Sequence, residues 1–207
     1  MSEIRLEFFY DCSSPWTYLG FTGIHAIAER HQIDIEWRPI LVGGVFNAVN
    51  QAVYAGREAM FSNERRMSHY RKDLKDWADY YGLSIGWPDF HPVNAVKSMR
   101  GCFIAEQSGQ LVNYSKALFE AYWGREEDIS NDEVLKAIIV RLGIDETSFF
   151  EGIQDQAIKD RLRANTNELI ERGGYGSPTL FINGDDMYFG NDRLPLGEAK
   201  LASLSGR

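Results

Sequence analysis

The chain changes from strand-like to helix-like sequence within residues 4–21, which read IRLEFFYDCSSPWTYLGF. Strand-forming side chains occupy most of residues 4–10, and small polar residues followed by Pro15 end this run. A serine directly before a proline is typical of a helix start, because serine caps the first turn and proline fits its first position. We therefore predict a buried strand over 4–10 and a helix over 16–30.

Further strand signals occur once after this helix and again near the end of the chain. Apolar and polar residues alternate over 33–39, which predicts a second strand and hence a parallel, right-handed βαβ unit. Strand-like sequence returns at 179–182 and 187–189, on either side of Asn183-Gly184, a strong hairpin signal. A last helix is predicted after the hairpin.

The segment between these two parts is predicted to be mostly helical. Apolar residues recur at helical spacing up to Tyr81, where Gly82 is a plausible stop. Ser130 and Glu133 form a capping box ahead of another helix. The predicted fold class is therefore α/β: a βαβ…ββα sheet domain of residues 1–44 and 174–207, interrupted by a helical domain of residues 45–173.

The composition is that of a globular protein that folds without disulfides or metals. The chain has 207 residues, of which 44% are hydrophobic, and its four histidines lack metal-ligand spacing. A net charge of −8 argues against a nucleic-acid partner. No apolar run approaches the ~20 residues of a membrane span, and residues 1–5 lack a secretory signal. Because Cys12 and Cys102 are the only two cysteines, we expect a protein of the reducing cytoplasm. Together with the histidine spacing and the lack of a long apolar run, this predicts no membrane partner and no metal.

The start of the first helix could bind an anion. Ser13 or Ser14 caps it, so a hydroxyl lies among unpaired backbone N–H groups at the positive end of the helix dipole. A plain capping role explains a serine there equally well. No histidine lies beside Ser14 in the sequence, which argues against a Ser-His-Asp hydrolase.

Two later turns carry similar alternatives. The peptide bond between Ser177 and Pro178 is compatible with a cis form, which would turn the neighbouring backbone outward to pair with an extended ligand. A trans proline that opens an edge strand is the commoner arrangement. Asn191 and Asp192 either bind the carboxylate and ammonium of an amino-acid-like ligand or simply cap the last helix.

Four stretches, in this order and spacing, resemble the kappa-class glutathione transferases and the 2-hydroxychromene-2-carboxylate isomerases. They are residues 8–21, Trp37-Arg38-Pro39, Gly176-Ser177-Pro178 and residues 189–194. The resemblance covers nearly the whole chain and implies a thioredoxin-like fold of the DsbA type with a large all-helical insertion. It also implies glutathione as the cofactor and a homodimer.

The resemblance implies that Ser14 is the catalytic residue and that Pro15 and Trp16 join it in binding glutathione. Redox relatives have a Cys-x-x-Cys motif where this chain has Ser14 and Thr17, so dithiol exchange at this motif is excluded. Serine can instead donate a hydrogen bond to a bound thiol, which favours thiolate and lowers its pKa. A charge-assisted bond of ~1.5–3 kcal/mol suffices to populate thiolate near neutral pH from a free pKa of about 8.5.

Further contacts to glutathione follow from the same resemblance. Ser177 and Pro178 would bind the cysteinyl part of the peptide, mainly through the Ser177 backbone. Asn191 and Asp192 would hold the γ-glutamyl carboxylate and ammonium.

The resemblance implies two more residues that contact glutathione. Asn50 matches a family asparagine, although the match needs a one-residue gap and Asn47 remains an alternative. Arg66, beside Arg65, matches a family lysine near the glycine carboxylate. Arginine keeps the charge of lysine but changes the geometry, and a solvated helix face explains the pair equally well.

We predict a glutathione-dependent isomerase of aromatic catabolism, whose bound thiolate adds reversibly to an unsaturated aromatic keto acid. Conjugation of glutathione to a small electrophile, as in the kappa-class transferases, is the alternative within the same class. Two alternatives belong to other classes: a thiol–disulfide oxidoreductase that works through Cys12, and a non-enzymatic peptide-binding module.

Overall fold

The computed structural model describes residues 4–205; residues 1–3 and 206–207, which include most of the sequence examined for a secretory signal, lie outside this range. Four strands form one sheet in the order β2-β1-β3-β4. β1 (Leu6–Tyr10) is parallel to β2 (Ile35–Pro39) and antiparallel to β3 (Thr179–Ile182), and β4 (Asp186–Phe189) is antiparallel to β3. This is the mixed thioredoxin-like sheet that the predicted βαβ and ββα halves require.

Helices make up most of the rest of the described chain. One connects the first two strands, eight lie between β2 and β3, and one follows the hairpin. In chain order they are α1 (Pro15–His31), α2 (Val42–Val49), α3 (Ala52–Phe61), α4 (Glu64–Tyr81), α5 (Val96–Gln107), α6 (Leu111–Phe119), α7 (Asp132–Arg141), α8 (Glu146–Gly152), α9 (Gln156–Glu171) and α10 (Leu194–Ser205). A π-helical turn, Glu120–Gly124, extends α6, and a 3₁₀ turn, Asn191–Arg193, precedes α10.

Local signals placed several of these boundaries correctly. Ser14 is the N-cap of α1, with Pro15 at its first position. Gly82 ends α4 with a φ of 67°, in the left-handed region that glycine adopts without a steric penalty. Asn183 and Gly184 form the β3–β4 turn, and both have positive φ, as a two-residue hairpin turn of the primed type needs.

Two capping predictions were wrong. Asn131, not Ser130, caps α7, because its side-chain oxygen accepts the Glu133 N–H at 2.9 Å. Ser130 lies one residue too early and donates to Asp128 instead. At the last helix a 3₁₀ turn intervenes, and within the described chain the side chain of neither Asn191 nor Asp192 accepts a helical N–H.

The sheet and the intervening helices share apolar core contacts. One cluster of buried side chains includes Phe8 of β1, Phe21 of α1 and Phe149 of α8. Near the start of α1, the indole N–H of Trp123 donates to the Cys12 carbonyl at 2.9 Å. The division into domains 1–44 with 174–207 and 45–173 stays a prediction. Over residues 4–205, no helix is both long enough and apolar enough to cross a membrane.

Candidate active site

Ser14 caps α1 and keeps a hydroxyl proton available for a ligand. Its backbone is extended, with φ −113° and ψ 126°, and its Oγ accepts the Thr17 N–H at 3.3 Å. Within residues 4–205 the hydroxyl has no acceptor for its own proton. Because it also lies at the positive end of the α1 dipole, the arrangement favours an anionic partner at this point.

The Ser177-Pro178 loop packs against this helix start. The peptide bond between the two residues is cis. The Ser177 Oγ accepts the Asp11 N–H at 3.1 Å and lies 2.8 Å from the Thr17 hydroxyl, so its side chain is occupied by contacts within the protein. In the described chain neither the N–H nor the C=O of Ser177 pairs with another backbone group. The backbone at Ser177 can therefore pair with an extended ligand.

Asp11 connects the loop after β1 to α2. One carboxylate oxygen accepts the Ser13 N–H and the other accepts the Val42 N–H, each at 2.8 Å. Burial raises the pKa of Asp11, and these two hydrogen bonds oppose the increase. Asp11 lines the same cleft as Ser14 and fixes the backbone next to it.

A largely apolar cleft with a volume of about 560 Å³ opens in front of Ser14. Ser14, Pro15, Trp16 and Ser177 line one side. The rest of the lining comes mainly from α2, α3, α4 and the loop before α5. Its polar and aromatic side chains include Arg57, Tyr70, Trp87 and His91.

The structure brings together only some of the residues predicted to bind glutathione. Ser14, Pro15, Trp16 and Ser177 line the cleft, and buried Pro178 adjoins it. The remaining four lie outside the lining: Asn50, Arg66, Asn191 and Asp192.

The turn at 190–193 is tied to the proline loop, because the Gly190 N–H donates to the Pro178 carbonyl at 3.0 Å. Asn191 is only 3% exposed, and its side-chain nitrogen has no hydrogen-bond partner among the described residues. Asp192 is exposed and pairs with Arg193 at 2.6 Å.

The other two predicted contacts lie in different parts of the chain: Asn50 directly follows α2, and Arg66 belongs to α4. The Asn50 amide donates to the Tyr175 carbonyl at 3.0 Å, so it holds the loop before Ser177. Asn47, the alternative, accepts the Tyr54 hydroxyl at 2.8 Å. Arg66 lies on the exposed face of α4.

The sequence analysis did not identify Arg57 and His91, whose side chains line the cleft. Arg57 of α3 has Nη2 3.0 Å from His91 Nε2, and His91 Nδ1 lies 2.8 Å from the Tyr122 hydroxyl. Burial, and then the charge of Arg57, lower the pKa of His91 to about 4. The sequence indicated only that the four histidines lack metal-ligand spacing. One signal was available: Arg57 is the only basic residue in the stretch 42–61.

Both cysteines are inaccessible and protonated at neutral pH. Cys12 is fully buried and does not line the cleft. Burial raises the pKa of Cys12 well above its ordinary value and the pKa of Cys102 to about 12. Neither thiol is available for exchange with a substrate in this conformation.

Comparison with known proteins points in one direction. The sequence pattern of the DSBA-like thioredoxin domain family matches residues 5–202. The chain is 28% identical to a 2-hydroxychromene-2-carboxylate isomerase of Pseudomonas putida, over 96% of this chain and 95% of that protein. It is 26% identical to human glutathione S-transferase kappa 1, over 97% and 90%. A solved 2-hydroxychromene-2-carboxylate isomerase superposes with a TM-score of 0.84 at 26% identity, over 97% and 95%.

Proposed function

The chain belongs to the family of DSBA-like thioredoxin domains. Within this family, we propose that it is a glutathione-dependent isomerase of an unsaturated aromatic keto acid. The relatives named 2-hydroxychromene-2-carboxylate isomerase and glutathione S-transferase kappa support an enzyme of this kind. The observation that carries the proposal is the Ser14 hydroxyl: it faces an apolar cleft, and its proton has no acceptor within residues 4–205.

The residues present fit the sulfur of a bound tripeptide. A bound glutathione would supply a thiolate that adds reversibly to a conjugated carbon of the acceptor and is expelled after bond rotation or ring opening. Ser14 would donate its proton as a hydrogen bond to that sulfur, while the N-terminus of α1 favours the negative charge. Ser14 need not lose its proton, and no general base is required beside it.

The peptide itself would lie along the proline loop. The unpaired N–H and C=O of Ser177 would bind the cysteinyl backbone as an added strand, next to Pro178. Asn191 and Asp192, tied to this loop through Gly190, would hold the γ-glutamyl end. Arg66 would lie toward the glycine carboxylate, and Asn50, or Asn47, would be a further contact to the peptide. We also propose that the protein is a homodimer.

Conjugation by the same thiolate is the second candidate, since it uses the same glutathione site. The two differ in whether glutathione is consumed: an isomerase returns it unchanged, and a transferase does not. Burial of Cys12 argues against the oxidoreductase alternative. A peptide-binding module would use the Ser177 backbone but would not need the Ser14 hydroxyl.

Replacing Ser14 tests the proposal. Ser14→Ala removes the donor to the sulfur, so we expect kcat/KM with glutathione and an aromatic keto acid to fall by about 10- to 100-fold. Calorimetry should still detect glutathione, because the Ser177 backbone contacts remain.

Asp145→Ala is the matched control. It removes a comparable N-cap, at α8 and outside the cleft, where Asp145 accepts the Ser148 N–H at 2.8 Å. This variant should lose about 0.5–2 kcal/mol of stability and keep its activity. If wild type gives no binding heat with millimolar glutathione, or if Ser14→Ala is fully active, the proposal is wrong.

A further inference from the structure

Arg57 is a cation on the wall of an apolar cleft. It is half-buried on α3 and lines the cleft that Ser14 also lines. Many basic side chains of residues 4–205 pair with a carboxylate, as Arg30 does with Glu198. Among residues 4–205, no carboxylate lies within ion-pairing distance of Arg57; its one hydrogen-bond partner there is His91. Its positive charge is therefore free for a ligand.

His91 positions this cation without neutralising it. A guanidinium can only donate, so the contact of 3.0 Å requires His91 Nε2 to accept. The ring proton then lies on Nδ1, which faces the Tyr122 hydroxyl at 2.8 Å. Because the imidazole is neutral above pH about 5, it fixes one N–H of Arg57 and leaves the others to a ligand.

Aromatic rings connect the Ser14 end of the cleft to the Arg57 end. Trp16, two residues after Ser14, donates its indole N–H to the Tyr70 hydroxyl at 3.1 Å. The rings of Tyr70 and Trp87 lie edge to face at 6.0 Å, and those of Trp87 and His91 lie at 5.0 Å. A flat ring can pack along this wall with one end near Ser14 and the other near the guanidinium.

We propose that Arg57, held by His91, binds the carboxylate of the aromatic acceptor substrate and thereby selects anionic acceptors. The carboxylate would accept two N–H groups of the guanidinium, while the ring packs on the Trp16–Tyr70–Trp87 wall. This inference rests on the proposed function, because it assigns the second substrate of the same site. It makes Arg57 a specificity residue and His91 a positioning residue.

The test compares 2-naphthoate with its uncharged analogue 2-naphthamide, each followed by tryptophan fluorescence with and without glutathione. We expect wild type to bind 2-naphthoate more tightly. Arg57→Met should weaken 2-naphthoate about 10- to 100-fold, the range for one charge-assisted contact, and leave 2-naphthamide unchanged. Arg71→Met removes an exposed arginine of α4 outside the cleft and should change neither affinity.

Two variants separate positioning by His91 from a purely structural role. His91→Phe removes the acceptor and should weaken 2-naphthoate but not 2-naphthamide. His91→Gln restores a side-chain acceptor and should recover most of that loss. Urea unfolding of each variant shows whether it is folded at the assay temperature.

Three outcomes would overturn the inference: Arg57→Met changes both probes equally, it changes neither, or it weakens glutathione and not 2-naphthoate. The last result would mean that Arg57 binds a carboxylate of the peptide. Failure of the proposed function looks different. In that case glutathione does not bind, while the discrimination between 2-naphthoate and 2-naphthamide still depends on Arg57.

Discussion

The Ser14 hydroxyl shows why one residue of the site could be predicted from sequence. Capping depends on Ser14, on Pro15 and on the helical pattern that follows, all of which are adjacent in the chain. The hydrogen bond that matters for the chemistry is also between near neighbours in the chain. The Ser14 Oγ accepts the Thr17 N–H, and the hydroxyl proton remains available to a ligand.

Arg57 and His91 could not be predicted in the same way. Nothing in the sequence around either residue indicates that a guanidinium will lie 3.0 Å from an imidazole nitrogen. Their pairing depends on how α3 packs against the loop before α5. Tyr122, which fixes the histidine from the other side, comes from a third segment.

The low pKa of His91, about 4, predicts how stability depends on pH. Between pH 6.5 and 4 the unfolded chain binds a proton at this histidine and the native protein does not. Stability therefore falls as pH falls through this window. Replacing His91 by Gln, which does not titrate, should remove this part of the loss.

Urea unfolding of both proteins at pH about 7 and about 5 measures this difference. Because the same His25 and Asp11 titrate in both proteins, their contributions cancel in the comparison. We expect wild type to lose more stability than His91→Gln between the two pH values. Equal losses would contradict a depressed His91 pKa.

At the scale of elements, α1 and the proline loop approach each other at Gly20. A Cβ built on Gly20 would lie 2.8 Å from Cγ of Pro178, a ring that cannot rotate away. The steric clash in Gly20→Ala should therefore cost about 1–3 kcal/mol of stability. Alanine offsets ~1 kcal/mol of this cost through its higher helix propensity, so we expect a net loss of up to about 2 kcal/mol. The substitution should also weaken glutathione binding, since the loop that carries Ser177 must move.

Gly56→Ala is the control for this prediction. Gly56 lies within α3, and a Cβ built there meets nothing within 4 Å. This variant should gain about 0.5–1 kcal/mol from helix propensity alone. A gain of similar size in Gly20→Ala, measured by urea unfolding, would refute the close approach.

The element boundaries that could be predicted are those marked by capping or turn residues in the local sequence. Ser-Pro, Asn-Gly and Gly82 correctly marked the start of α1, the β3–β4 turn and the end of α4. The capping box at Ser130 failed because Asn131, an equally good cap, lies one residue closer to the helix. The boundary between α2 and α3 at residues 50–51 has no glycine or proline to mark it.

At the scale of the whole molecule, the cleft lies between the sheet part and the inserted helices. Ser14 and Ser177 come from the first, while Arg57 and His91 come from the second. The order βαβ, helices, ββα and the family resemblance were enough to predict the thioredoxin-like fold. They could not indicate which helical side chains face the cleft, because that depends on packing between segments far apart in sequence.

The acidity of the glutathione thiol in its complex tests the central claim most directly. An ultraviolet titration of thiolate absorbance, at saturating protein, compares wild type with Ser14→Ala. We predict a thiol pKa at least about one unit below the free value of about 8.5 in wild type, and a return most of the way toward it in Ser14→Ala. A wild-type pKa equal to that of free glutathione would contradict the account.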